Sequence, residues 1–328
     1  MSAAAAATAA VASGSIEVSP HDPTVAVERP ADVAASGTVA RISPVESPLD
    51  ALQRELNHVR EELEALRQRD DTMRFYMHRL DEELRLAARV QQDFLPKALP
   101  KVGDLRFQVL FRPAGHVSGD LYDVMRLDES HVGFYMADAV GHGMPAALLT
   151  MFLKQALVTK DIFPGGYRLL SPNQTMQKLN DSLVGQNLSQ ATFATALYGH
   201  INTKTLELIF SRGGHPNPLV ITRSGEMKML EAGGSLLGIF PEEQFEQATV
   251  TLAPGDRFFI YSDGVELAFT DESSLDTGRW QAELYARRHL PTEQIINEFA
   301  EYLDSADGNG NKKKDDLTII VVEVAANA

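Results

Sequence analysis

The sequence predicts an α+β domain preceded by a long coiled-coil helix, and three observations carry that prediction. An apolar heptad begins abruptly at Leu49 and continues to Ala87. Beyond it, short β-branched and aromatic runs cluster between helical segments, joined by tight turns rather than alternating as strand–helix–strand units. The chain closes on an apolar strand-like run, Leu317–Val324.

The heptad comes first. Leu49, Leu52, Leu56, Val59, Leu63 and Leu66 follow an alternating three-four spacing that continues through Met73, Met77, Leu80, Leu84 and Ala87. Arg54, Glu55, Arg60, Glu61, Arg67 and Arg69 fill much of the remainder. A seam this narrow suits a partner helix; the alternative is one amphipathic helix packed on its own domain. Such a helix reaches on the order of 70 Å at 1.5 Å per residue, so residues 49–87 are expected to pair as a parallel homodimer. Asp70, beside Asp71, breaks the seam. It is either a stutter or a weak point that lets the helix change its packing. Residues 1–47, rich in Ala, Ser and Pro, are expected to be a disordered tail.

Strands are expected at Arg106–Phe111, Asp120–Leu127 and Val132–Ala137, followed by a helix over Met144–Lys160 with Pro145 in its first turn. A second helix, Pro172–Val184, has Ser171 at its N-cap position. Six strands follow: Phe193–Ile201, Leu206–Arg212, Pro218–Thr222, Met227–Glu231, Ala248–Leu252 and Arg257–Tyr261. Helices near Arg279–Arg288 and Thr292–Leu303 precede a polar loop, Ser305–Lys314, and the final strand.

Composition narrows the function. The chain has 328 residues, 44% hydrophobic, enough for a sizeable core. A formal net charge of −15 argues against nucleic acid or an anionic membrane as partner. Cysteine is absent, which excludes disulfides, thiolate metal sites and cysteine nucleophiles. No run approaches the roughly 18 apolar residues of a membrane span. The Ala3–Ala10 stretch lacks the basic and strongly apolar regions of a signal peptide, so a soluble cytoplasmic protein is expected.

Four acidic motifs stand near strand ends: Ser118-Gly119-Asp120; Asp138 leading into Gly141-His142-Gly143; Ser262-Asp263-Gly264; and Asp315-Asp316-Leu317-Thr318. Each alone reads more readily as a turn or cap. Together they assemble carboxylates that repel unless a cation lies among them, and Mg²⁺ or Mn²⁺ favours such oxygen donors. Two such ions suit phosphoryl chemistry. His142, between two glycines, is either catalytic or a helix-entry residue; His215, in a tight turn, is expected to be structural. There is no Gly-x-Ser-x-Gly elbow and no P-loop.

In order along the chain, these motifs resemble the SpoIIE/RsbU branch of the metal-dependent Ser/Thr phosphatases, the protein phosphatase 2C-like (PPM) superfamily. The residues that carry the resemblance are Ala87-Ala88-Arg89-Val90-Gln91-Gln92-Asp93-Phe94-Leu95-Pro96, Ser118-Gly119-Asp120-Leu121-Tyr122-Asp123 and Asp138-Ala139-Val140-Gly141-His142-Gly143. Thr192-Phe193-Ala194-Thr195, Gly213-Gly214-His215-Pro216, Leu236-Leu237-Gly238, Tyr261-Ser262-Asp263-Gly264-Val265 and Asp315-Asp316-Leu317-Thr318 complete the set.

The resemblance implies a phosphatase domain over residues 87–326, after a regulatory helix at 48–86, built as a central antiparallel β-sandwich flanked by helices. It implies two Mn²⁺ or Mg²⁺ ions, bridged by Asp138, with Asp120, Asp263 and Asp315 completing the shell and the Ala139 carbonyl as a further ligand. Asp316 is an alternative or additional ligand, because the paired aspartates leave the register open; Asp123 would stand behind the ligands. Two positions depart from the family pattern: Ser118 replaces a glycine, and Gly213 replaces the alanine of Ala-Gly-His-Pro. The branch lacks the Asp-Gly-His arrangement of eukaryotic relatives, so His142 does not inherit a general-acid role. The implied substrate is a phosphorylated STAS-domain anti-sigma factor antagonist in a partner-switching pathway, with an upstream regulatory protein acting on the coiled coil. The alternative is a catalytically inactive phosphatase-like dimeric scaffold that binds a regulatory partner.

Overall fold

The computed structural model describes residues 47–188, 192–269, 278–308 and 315–326. The expected disordered tail, up to residue 46, lies outside the described residues, as does the polar loop from residue 309 to 314. Backbone contacts divide the chain into two compact units, residues 1–66 and 67–328, the division falling within the first helix.

That helix, α1, runs unbroken from Pro48 to Phe94. Its only buried residue is Gln91, and the heptad leucines from Leu49 to Leu80 stay exposed, Leu52 at 63% and Leu66 at 60%, while Leu84 is half-buried.

Two antiparallel five-stranded sheets follow. The first orders β1 (Leu105–Arg112), β12 (Leu317–Val324), β11 (Arg257–Tyr261), β8 (Leu219–Ile221) and β9 (Met227–Met229). The second orders β10 (Gln247–Thr251), β7 (Glu207–Gly213), β6 (Ala194–Asn202), β3 (His131–Ala139) and β2 (Asp120–Arg126). Alternation of side chains along each strand gives each sheet two apolar faces. In β3, Val132, Phe134 and Met136 join Ile320 and Val322 of β12 in the core between the sheets. The intervening Tyr135, Ala137 and Ala139 pack outward on helices α2 (Met144–Ala156) and α3 (Pro172–Val184). On the opposite face, Ile319 and Val321 of β12 meet Trp280 and Leu284 of α5 (Arg279–Ala286) and Phe299 of α6 (Thr292–Gly308). Burial on both faces explains why β12 and β3 read as almost continuous apolar runs.

Several boundaries differ from expectation. The helix predicted over Met144–Lys160 ends at Ala156, and Lys160 opens a hairpin, β4 (Lys160–Phe163) with β5 (Gly166–Leu169). Gly165, at φ +96°, makes that turn. Helix α6 extends to Gly308, past the expected end at Leu303. A short helix, α4 (Asp263–Ala268), starts directly after β11. By contrast α3 has the predicted limits, with Ser171 and Gln174 forming a capping box.

Candidate active site

The site forms at one end of the sandwich, where strands from both sheets finish. Asp120 and Asp138 are direct Cα partners across β2 and β3, and Thr195 of β6 pairs with Asp138 from the other side. Strand alternation puts Asp138 on the same face of β3 as Phe134 and Met136, at the rim of the core between the sheets. Thr318 of β12 reaches across that gap, its Oγ1 donating to Asp120 Oδ2 at 2.5 Å. One hydroxyl thus ties the two sheets together at the site.

Asp138, Ala139, Gly141, Thr195, Asp263 and Asp315 line a pocket of about 210 Å³. Three acidic side chains from segments far apart in sequence therefore share one opening. Asp120 lies behind it, 1% exposed. Burial, then repulsion by Asp138, pushes the Asp120 carboxyl well above the usual carboxylate range, against hydrogen bonds from Thr318 and Ser262. Asp138 is pushed up to about 7, first by burial and then by Asp263, Asp315 and Asp316. Asp315 is raised by burial and by the same acidic neighbours, with His142 and the Asp316 amide opposing.

A cluster that resists ionisation in this way suits a positive charge, and an all-oxygen donor set suits Mg²⁺ or Mn²⁺. Among the described residues, no three acidic, histidine or cysteine side chains are already closed around an ion-sized point.

Asp316 does something different. Its Oδ1 accepts from the Ala114 amide at 2.6 Å and its Oδ2 from the Gly119 amide at 2.5 Å. Both oxygens are taken up in fixing the loop that leads into Asp120. The two neighbouring aspartates thus divide their duties, Asp315 lining the pocket and Asp316 holding the loop. Gly264 permits the close approach at the adjoining strand end: a Cβ there would lie 1.9 Å from the Asp316 carbonyl oxygen.

The departure at Ser118 is readily accommodated. Ser118, in place of glycine, is fully buried, and its Oγ accepts the Asp120 amide at 3.1 Å. His215 is also fully buried, with Nδ1 2.9 Å from Thr195 Oγ1, and burial pushes its ring down to about 3. It steadies Thr195 as a neutral group. His142 is exposed between Gly141 and Gly143, both at positive φ, where α2 begins. Asp123 pairs with Lys154 of α2 at 2.9 Å, and the same ammonium donates to the Phe94 carbonyl at the end of α1.

Gln91 is the residue that pattern reasoning missed. Its Nε2 donates to the Ser118 carbonyl at 2.6 Å, and its Oε1 accepts the Ser118 amide at 2.9 Å. An uncharged amide offers no titratable signature. It stands in the Ala87–Pro96 stretch that carries the family resemblance, but nothing in that stretch assigned it a partner.

Comparison with known proteins adds to this geometry. Residues 128–325 match the family model for Stage II sporulation protein E, SpoIIE. The chain is 28% identical over 259 residues to the phosphoserine phosphatase RsbU of Bacillus subtilis (strain 168), a match covering 78% of this chain and 74% of that protein. It is 31% identical over 187 residues to the phosphoserine phosphatase RsbP of the same organism, covering 56% of this chain and 45% of that protein. Among solved structures, the SiaA-PP2C domain of Pseudomonas aeruginosa matches with a TM-score of 0.65 at 21% identity, covering 75% of this chain and 98% of that one. At that identity the likeness is one of fold.

Proposed function

Because the chain belongs to the SpoIIE family and carries a PP2C-like serine/threonine phosphatase domain, we propose that it hydrolyses phosphoserine or phosphothreonine on a STAS-domain anti-sigma factor antagonist. The observation that carries this reading is the pocket shared by Asp138, Asp263 and Asp315, with the Asp138 carboxyl pushed up to about 7.

In this reading Asp138, Asp263 and Asp315, with Asp120 and the Ala139 carbonyl, would hold two Mn²⁺ or Mg²⁺ ions. When bound, such ions supply a water acidic enough to be deprotonated near neutral pH and offset charge on the transferring phosphoryl group. The protein's own residues set the geometry. Asp316 fixes the loop before Asp120, Thr318 holds the Asp120 carboxylate, and His215 steadies Thr195 beside Asp138. The names of the two Bacillus relatives favour phosphoserine as substrate class. The STAS protein follows from the family resemblance.

Regulation is assigned to α1. Its exposed heptad stripe suits a second copy of the same helix, and Gln91 connects α1 to the loop that carries Asp120. Pairing of α1, set by an upstream protein, would then govern whether the acidic site assembles. The test is Mn²⁺-dependent release of phosphate from a phosphorylated STAS-domain protein by the full chain, by Asp263→Ala, and by a truncation lacking residues 1–86. Release by the full chain, none by Asp263→Ala and altered release by the truncation are expected. Undiminished release by Asp263→Ala would remove the catalytic reading, and unaltered release by the truncation would remove the regulatory one.

A further inference from the structure

We propose that His116, oriented by Asp81 of α1, donates the proton to the serine oxygen that leaves when the phosphoester is cleaved. The inference rests on the phosphatase reading above and supplies a group that this reading lacks. A serine alkoxide is a poor leaving group, and a positioned acid contributes about 10²–10⁴-fold to such a step. No histidine lines the acidic pocket among the described residues, and the branch the chain resembles lacks the histidine arrangement of eukaryotic relatives.

A second pocket, of about 390 Å³, adjoins the first, and Asp315 lines both. His116, His142 and Leu84 of α1 also line it, together with Asp316. Because Asp315 lines both spaces, a phosphoester with its phosphorus among the carboxylates has room for its esterified side chain in this second space. An acid there stands on the leaving-group side.

Two histidines compete for the role, and their surroundings distinguish them. His142 is exposed between two positive-φ glycines, and among the described residues no hydrogen bond orients its ring. His116 Nε2 lies 2.7 Å from Asp81 Oδ1, with both side chains 40% exposed. A carboxylate on Nε2 holds that N–H and the ring plane in place, so the proton the imidazolium gives up is the one on Nδ1. The loop bearing His116 is itself anchored beside Asp315, because the Ala114 amide donates to Asp316. The titratable groups lining this space are His116, His142 from the α2 entry, and Asp315 and Asp316 before β12; Asp81 stands behind His116, its other oxygen paired with Arg85 at 2.8 Å.

The step balances. A water oxygen bonds to phosphorus as the bond from phosphorus to the serine oxygen breaks, and that oxygen takes the Nδ1 proton of the His116 imidazolium. The products are the unphosphorylated serine side chain and inorganic phosphate, and the neutral ring regains its proton from solvent, into which the attacking water has released one.

The experiment compares the full chain with His116→Gln and Asp81→Asn, assayed with Mn²⁺ on a phosphoserine peptide and on p-nitrophenyl phosphate, whose phenolate leaves readily unprotonated. His116→Gln is expected to lose about 10²-fold in kcat on the peptide, at nearly constant KM, and at least tenfold less than that on the aryl ester. Asp81→Asn is expected to show the same selective loss at a smaller size, about tenfold on the peptide. Independently of turnover, ¹⁵N NMR of the ring is expected to show the Nε2–H tautomer in the wild type and its loss of preference in Asp81→Asn. Equal losses on both substrates, no loss on either, or a wild-type Nδ1–H tautomer would overturn the assignment. Wild-type protein inactive on both substrates would instead strike the underlying phosphatase reading, while the NMR result still reports on the dyad.

Discussion

Gln91 and Ser118 exchange two hydrogen bonds, the side-chain amide of one closing on the backbone amide and carbonyl of the other. This is where the one buried residue of a 47-residue helix meets the loop that delivers Asp120. Gln91→Ala leaves a buried donor and acceptor unpaired, at about 1–3 kcal/mol. Mn²⁺-dependent kcat/KM should fall about tenfold, with faster amide hydrogen exchange across residues 114–120. Gln91→Glu, which can no longer donate to the Ser118 carbonyl and adds negative charge beside the cluster, should fall further.

The two aspartates before β12 should respond differently to the same substitution. Asp315→Asn relieves repulsion among raised carboxyls, so the melting temperature should hold or rise while Mn²⁺ affinity by calorimetry drops at least about tenfold. Asp316→Asn places an NH₂ group against an amide that needs an acceptor. It should lower stability by about 1–3 kcal/mol in denaturant titrations.

Gly264→Ala should be more severe than any surface substitution. The added methyl would sit 1.9 Å from the Asp316 carbonyl oxygen, against backbone rather than a movable side chain. The ends of β11 and β12 must separate to admit it, which should cost upward of about 2 kcal/mol and abolish activity together. Retention of wild-type stability in urea unfolding would contradict the close approach.

His200 provides a pH test remote from the acidic pocket. Burial first, then His131, pushes its ring down to about 4, with Asp128 opposing. The unfolded ring takes up a proton below about 6.5. Between those values the unfolded chain binds more protons, so this group's contribution to stability falls as pH drops through the window. His200→Gln should flatten that acid limb relative to wild type, by on the order of 1–3 kcal/mol between pH 7 and pH 4. Parallel stability–pH curves would rule out the buried neutral ring.

Leu56→Lys with Leu63→Lys places charge on the exposed stripe of α1. Sedimentation should show a dimer for the wild type and a monomer for the variant, since lysines at core heptad positions disfavour pairing.

Much of the fold was legible in sequence, for identifiable reasons. β11 and β12 have the predicted limits because both of their faces are buried, leaving almost continuous apolar runs between turn residues. Helix α3 was bounded by a cap the sequence displays. The β4–β5 hairpin was overlooked because Ile162, Phe163 and Tyr167 are exposed and follow no alternation; the Pro164-Gly165 turn was its only signal. At the site, Asp138, Asp263 and Asp315 could be listed from their motifs. The separate duty of Asp316 could not, because its partners lie about two hundred residues away in the chain.

The pairing of Asp120 with Asp138 makes a distant turn a guardian of the chemistry. Asp128 and His131, at the far end of the β2–β3 hairpin, set its turn, the Asp128 side chain accepting the amides of Ser130 and His131. One residue gained or lost there would slide β2 along β3 and set Asp120 opposite an alanine, with its side chain toward the other face. Surface turns ordinarily tolerate changes in length. This one never meets the substrate, yet its residue count keeps the two carboxylates in step.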